Sequence, residues 1–433
     1  MKETIIQKVI GRRVWDSRGR PTVEAQVCTI GGAEGRAMAP AGASKGSGEA
    51  VDLRDGGTRF GGYGVELAVN QVNSTVAQSL RGLDSANQLK VDQTLIHLDG
   101  TPNKSKLGGN AMIAVSMAVA KAAAATLREP LYRYLGGDEA ILIPLPEIQI
   151  FGGGAHAGRR VDIQDFMIVA VAAQSFDEAL AVTAEVYLMA GKMMGDSGKL
   201  QGLADEGGYW PAFDTNEQAL EMLVRVIEKA GYIPGEQVAI SLDIAASQFY
   251  QEGGYRFGVD GRDMDSDGLA DLLVRWIDHY PIVAMEDPLA ENDVEGFRKF
   301  MTGVGHRVQV IGDDLLVTNA ARIRAAGRER LCNAVLIKPN QAGTLSETKA
   351  ALDAAQEAGL RTIVSARSGE TEDTTIAHLA VGWMAGQLKV GSFARSERMA
   401  KWNEVLRIES ELGPLARFAG RAVFPTRNRL IPS

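Results

Sequence analysis

Five short apolar runs in the second half of the chain each end in a residue able to do chemistry. Residues 238–242 run into Asp243, 282–285 into Glu286, 308–312 into Asp313, 334–337 into Lys338 and 362–364 into Ser365. Three carboxylates brought together repel one another, so either some stay protonated or a cation joins them. Oxygen ligands with no Cys or His beside them select a hard ion, Mg²⁺ before Ca²⁺ or Mn²⁺. Pairing of the same carboxylates with Arg or Lys stands as the alternative. A lysine beside a metal and a second cation has its ammonium form disfavoured, which makes Lys338 a candidate general base, with Lys389 as neighbour. Arg367 and the Ser368 hydroxyl suit an anionic phosphoryl group. Metal, lysine base and phosphate clamp together point to proton abstraction α to a carboxylate, the metal stabilising the ene-diolate.

Such groups meet only if regular elements carry them to one place. From Glu286 through Asp313 and Lys338 to Ser365 the steps are 27, 25 and 27 residues, after a first interval of 43 from Asp243. Each short step fits one strand, one helix such as 345–358, and two loops, which predicts a parallel sheet. Polar residues at successive strand ends predict more narrowly an α/β barrel of the (β/α)₈ TIM type, with its site at the C-terminal rim. Ahead of it, 22–27 alternates as a half-buried strand and 110–127 reads as a helix, so a smaller α+β domain spans 1–137 and the barrel 138–433. Asp263, Asp265, Asp267 and Gly268 mimic half an EF-hand loop. The twelfth position is Val274 and not Glu, so a solvated turn before a helix at 269–276 is expected instead.

Composition narrows the class further. The 433 residues are 45% hydrophobic and 23% charged, which suits a folded chain with a large core and not a disordered one. A net charge of −8 argues against a general nucleic-acid binder. Cys28 and Cys332 lie in no metal or disulfide pattern, as expected in a reducing compartment. No signal peptide is visible ahead of Lys8, Arg12 and Arg13, and the Ala-rich 111–127 carries Lys121 and falls short of the ~20 apolar residues of a spanning helix. The expectation is a cytoplasmic protein without membrane or nucleic-acid partners.

The motifs, taken in order, resemble the enolase family over nearly the whole chain. They are Asp16-Ser17-Arg18-Gly19, Pro40-Ala41-Gly42-Ala43-Ser44, Asp205-Glu206-Gly207-Gly208, Glu286-Asp287-Pro288, Gly312-Asp313-Asp314-Leu315, Ser368-Gly369-Glu370-Thr371-Glu372-Asp373 and Ala394-Arg395-Ser396-Glu397-Arg398. A lysine base beside Mg²⁺ is itself the enolase-superfamily pattern. The resemblance implies a modified barrel whose first units depart from strict β/α alternation, under a small N-terminal domain. It implies two Mg²⁺ ions, with Asp243, Glu286 and Asp313 matching the ligands of the first and Ser44 a ligand of the second. Lys338 matches the base for the C2 proton. Gln164 and Lys389 match contacts to the substrate carboxylate, and Arg367 and Ser368 the phosphate site. Glu206 matches the acid that helps the C3 hydroxyl leave, and His156 sits on a loop that closes over substrate. The family is typically homodimeric or larger, glycolytic and cytoplasmic.

Two departures fall beside the leaving hydroxyl. Ala366 stands where the family has a histidine, and the catalytic carboxylate Asp165 is one methylene shorter than the family's glutamate. Losing an acid–base partner costs about 10²–10⁴-fold, so ordinary activity is expected to be weakened. Lys45, Arg159 and Arg160 add cations on loops that in the family close toward the phosphoryl end, unless they merely point into solvent. The chain thus reads as a Mg²⁺-dependent lyase acting on 2-phosphoglycerate or a close analogue to give an enolpyruvate product. The alternative is a specialised paralogue such as a carboxyphosphonoenolpyruvate synthase of phosphonate natural-product biosynthesis, whose substrate carries an extra anionic group.

Overall fold

The computed structural model of the chain describes residues 2–43 and 46–425, and of His156 the backbone only. Strands Ile6–Trp15, Pro21–Thr29 and Glu34–Met38 form an antiparallel sheet in that order, with Arg12 opposite Glu24 and Gln26 opposite Arg36. The middle strand, expected to be half-buried, is buried along nearly all its length. The helix Gly109–Leu127 packs on the second and third strands and covers the face that the sequence pattern left open. At Gly35 a Cβ would lie 2.1 Å from the Ala118 carbonyl oxygen, so only glycine permits that approach. The helix stops at Arg128, whose φ of 59° is left-handed. It is the one helix among the described residues long and apolar enough to cross a membrane, and it is buried in the fold.

Eight strands then close a barrel. In chain order they are Leu145–Gly152, Asp165–Val169, Ala239–Asp243, Ile282–Glu286, Gln309–Gly312, Ala334–Ile337, Arg361–Ser365 and Gly386–Ser392. The eighth pairs with the first, Gln387 opposite Leu145. The second runs antiparallel to both its neighbours and every other pair is parallel. Strict β/α alternation therefore begins only at the third strand. The long first interval also has a cause: a small antiparallel sheet, Tyr250–Gln251, Gly254–Phe257 and Arg262–Met264, is inserted between the third strand and helix Ser266–His279. Asp265 caps that helix by accepting from Gly268 N at 2.8 Å, so the aspartate-rich stretch is a helix start.

Strand periodicity of two explains why the site residues converge. Ala239, Ala284, Ile311, Ala334, Leu336 and Ile363 fill the lower barrel interior, plugged by Val423 and Phe424. Burying each large aliphatic side chain there contributes about 1.5–3 kcal/mol. A buried polar cluster sits among them. Ser241 Oγ donates to Glu147 at 3.0 Å, Gln387 Nε2 donates to Glu147 at 2.6 Å, and Gln309 Nε2 donates to Gln387 at 2.8 Å. Burial pushes the Glu147 carboxyl up. Two residues beyond Ser241, Ala284, Ile311, Leu336 and Gln387, the same strand faces present Asp243, Glu286, Asp313, Lys338 and Lys389.

Candidate active site

The sequence-predicted lysines and phosphate-clamp residues meet at a small cleft, with Asp243, Glu286 and Asp313 ion-paired to those lysines. The cleft is lined by Gln164, Asp165, Glu206, Lys338, Ala366, Arg367, Ser368 and Lys389, with Gly42 and Ala43 from the N-terminal segment. Lys389 Nζ lies 2.8 Å from Asp243, 2.7 Å from Glu286 and 3.2 Å from Asp165. Lys338 Nζ pairs with Asp313. Gln164 Nε2 donates to Asp243 Oδ2 at 2.8 Å, and Gln341 Nε2 to Asp313 Oδ1 at 2.9 Å. Ser44 lies outside the described residues, as do Lys45 and the side chain of His156. The backbone of His156 belongs to the short turn Gly154–Ala157. Arg159 and Arg160 are exposed.

Electrostatics follow from this packing. Burial pushes the Glu286 carboxyl well above the usual carboxylate range, and Asp243 adds to the rise. Burial alone would raise Asp313 too, but the Lys338 ammonium overrides it and holds the group low. The expectation for Lys338 is reversed in the protein alone. Burial is the largest influence and disfavours its ammonium, yet the Asp313 and Glu286 carboxylates together raise it, while Arg367 and Lys389 work the other way. For Lys389 burial again favours the neutral amine, but Asp243, Glu286 and Asp165 surround it and hold it well above the usual lysine range.

The phosphate-clamp residues sit in the same wall. Arg367 is buried and meets Glu49 through Nη1 at 2.9 Å and Nη2 at 3.3 Å, and Nη1 also donates to Asn340 at 3.1 Å. Ser368 Oγ accepts from Ala43 N at 2.7 Å and from Arg18 Nη1 at 3.5 Å. Reciprocal backbone bonds between Ala41 and Gly369, at 2.8 and 2.9 Å, stitch the N-terminal segment to this wall. The Asp16-to-Gly19 turn docks beside it through Ser17 N on Glu370 O at 2.7 Å.

A hard cation fits the donor set. Lys389 already holds a positive charge among three carboxylates, and Glu286 Oε1 is buried without a hydrogen-bond partner among the described residues. An unpaired buried carboxylate oxygen is costly unless a cation meets it. The acidic cluster among the described residues that is compact enough to hold a metal ion is Asp287, Asp313 and Asp314, within 4.8 Å of one another. It shares only Asp313 with the predicted set. The two lysine ammonium groups account for the difference, since Lys389 draws Asp243 and Glu286 to itself while Lys338 takes Asp313. Asp287 is occupied by backbone: its two oxygens accept from Asp313 N at 2.9 Å and Asp314 N at 2.8 Å. Its φ of 39° is a strained value for a non-glycine residue.

Several residues of this wall carry no mark in the sequence. Glu49 is far from Arg367 along the chain, and nothing local singles it out. Asp287 lies inside the Glu286-Asp287-Pro288 motif without an evident role, and nothing in the sequence pattern singles out Gln341. Gln149 has no signal beyond its place on an apolar strand. Comparison with protein families completes the picture: the family model "Enolase, N-terminal domain" matches residues 6–135 and "Enolase, C-terminal TIM barrel domain" matches residues 140–427.

Proposed function

The chain belongs to the enolase family, and on that premise we propose that it is a Mg²⁺-dependent lyase. Its substrate would be 2-phosphoglycerate or a close analogue, from which the C2 proton and the C3 hydroxyl leave and a C2–C3 double bond forms. The observation that carries this reading is the ion pairing of Asp243, Glu286 and Asp313 with Lys338 and Lys389, two lysines that line one cleft with Arg367 and Ser368. Asp243, Glu286 and Asp313 would hold one Mg²⁺ and Ser44 would help hold a second; when bound, the ions supply positive charge that makes the carbon beside a carboxylate acidic. Arg367 and Ser368 orient the phosphoryl group. Gln164 and Lys389 hold the substrate carboxylate, and Lys338 takes the C2 proton on Nζ. Burial, Arg367 and Lys389 favour its neutral form once Asp313 and Glu286 no longer serve as its counter-ions. Glu206 and Asp165 serve the departing hydroxyl. On this reading the protein works as a homodimer or larger homo-oligomer in the cytoplasm.

A specialised substrate is the second reading, and Ala366 favours it. The small side chain lines the cleft where the family carries a histidine, leaving room and removing a proton partner on the leaving-group side. The test compares kcat/KM for 2-phosphoglycerate with that for its carboxyphosphono analogue. Faster turnover of the analogue is expected on the specialised reading, and faster turnover of 2-phosphoglycerate ends it. No Mg²⁺-dependent turnover of either would remove the lyase assignment.

A further inference from the structure

One buried amide bridges Asp165 and the loop that carries Glu206, the two acids that the proposed mechanism places beside the leaving hydroxyl. Gln149, on the first barrel strand, is 0% exposed. Its Nε2 donates to Asp165 Oδ1, and its Oε1 accepts from Gly208 N at 2.9 Å. Only this orientation of the amide satisfies both partners, since a carboxylate accepts and a backbone N–H donates. Gly208 lies two residues past Glu206, on a loop with little freedom. Ser392 N donates to the Glu206 carbonyl at 2.9 Å and Tyr187 Oη to the Gly207 carbonyl at 2.8 Å. Ser392 Oγ in turn donates to the Gln149 carbonyl at 2.5 Å. A Cβ at Gly208 would sit 2.3 Å from Gln149 Oε1, so the loop is pressed against the amide itself.

We infer that Gln149 is a positioning residue whose reach compensates for the short Asp165 side chain, setting the separation of the Asp165 carboxylate from the Glu206 loop. Side-chain length decides the matter. Aspartate brings its carboxylate one methylene less far from its strand than glutamate does, and glutamine brings its amide one methylene further than asparagine does. A long amide facing a short acid therefore spans the same gap as a short amide facing a long acid. Exchanging only one of the two leaves the contact either broken or crowded. The inference rests on the roles proposed for Asp165 and Glu206. A displacement near 1 Å at reacting groups can cost about 10²-fold, so the fit matters to the chemistry.

The experiment uses the Mg²⁺-loaded enzyme in D₂O with the faster of the two substrates compared above, following C2 deuterium incorporation and product formation separately. Gln149→Met keeps the bulk and removes both hydrogen bonds. Expected is a fall of about 10²-fold in elimination with C2 exchange little changed, because the hydrogen bonds of this amide reach Asp165 and Gly208 and not Lys338. Q149N and D165E should each lower elimination, and the Q149N/D165E double variant should recover most of it. A second readout needs no turnover: the urea midpoints of the metal-free wild type, the two single variants and the double variant should be strongly non-additive, the double lying closer to wild type than either single. Additive midpoints, or exchange and elimination falling in proportion in Q149M, would overturn the inference. Asp165→Asn separates it from the reading beneath it. If D165N loses elimination and Q149M does not, Gln149 alone is misassigned; if D165N loses nothing, the leaving-group role fails and the inference falls with it.

Discussion

The barrel has two unlike halves, and the proposed chemistry is divided between them. From the third strand to the eighth the strands are parallel, and the pleat alone brings Asp243, Glu286, Asp313, Lys338 and Lys389 together. At the first two strands the antiparallel turn breaks that regularity. There Gln164 and Asp165 enter at the start of a strand, and Glu206 arrives on the turn between the short strands Leu200–Leu203 and Tyr209–Pro211. Side-chain hydrogen bonds do the positioning in that corner. The regular half sets charge by repetition of the backbone, and the irregular corner sets distance by the lengths of individual side chains. Substitution should therefore be unforgiving of charge in the first and of length in the second.

The largest effect tests the charged half. Exhaustive chelation is expected to bring turnover to background and Mg²⁺ to restore it. The ion should also stabilise the fold, by about 2.7 kcal/mol at a hundred times its Kd, read as a rise in Tm. Full activity after chelation would leave the carboxylates as partners of the lysines and nothing more. Next comes Lys338→Ala, which should cost about 10²–10⁴-fold and abolish exchange of the C2 proton with solvent. Unchanged exchange would mean that the base lies elsewhere.

Those two halves also differ in how legible they are in the sequence. The steps of 27, 25 and 27 residues mark the parallel strands, and the structure brings their terminal residues to one rim, because barrel geometry is periodic and periodicity is local information. Strand ends shift by a residue or so; for instance 362–364 is Arg361–Ser365. The charge state of Lys338 differs from expectation for a physical reason. A lowered lysine requires a cation on Asp313, and in the protein alone that carboxylate stabilises the ammonium. At the irregular corner no spacing connects Gln149 with Gly208, and none connects Arg367, just past the seventh strand, with Glu49. Asp165 and Glu206 are visible through family resemblance alone. Contacts made by loop closure across the barrel leave no period to read.

A moderate effect is expected at Ala366, which follows the seventh strand and lines the cleft together with Asp165 and Glu206. Ala366→His should raise turnover of 2-phosphoglycerate about tenfold by returning a proton partner to the leaving-group side, less than the full value of a general acid because Asp165 remains short. No gain in kcat/KM for 2-phosphoglycerate would count against that position's role in choosing the substrate.

The smallest effect tests whether the regular half is insulated from the helices outside it. Glu404, half-buried on helix Ser396–Leu412, accepts from His378 of helix Thr375–Gly382 at 3.1 Å and is also paired with Arg407 at 2.7 Å. The His378 hydrogen bond, ahead of burial acting against it, holds the Glu404 carboxyl at about 2. Because the folded value lies below the ordinary carboxylate value of 4.5, the stabilisation is complete above that pH and is lost as pH falls toward 2. Glu404→Gln should accordingly lower the urea-unfolding stability by about 1 kcal/mol at pH 7, allowing for solvent screening of a half-exposed pair, with the gap closing at pH 2. Turnover at pH 7 should not move. Helix Ser396–Leu412 touches the site wall at its first turn, where Arg398 donates to the Arg367 and Ser368 carbonyls at 2.7 and 2.5 Å, and Glu404 lies more than a turn further on. A fall in kcat with unchanged stability would show that the strand-end geometry depends on its outer helices, and the contrast between a backbone-fixed half and a side-chain-fixed corner would no longer hold.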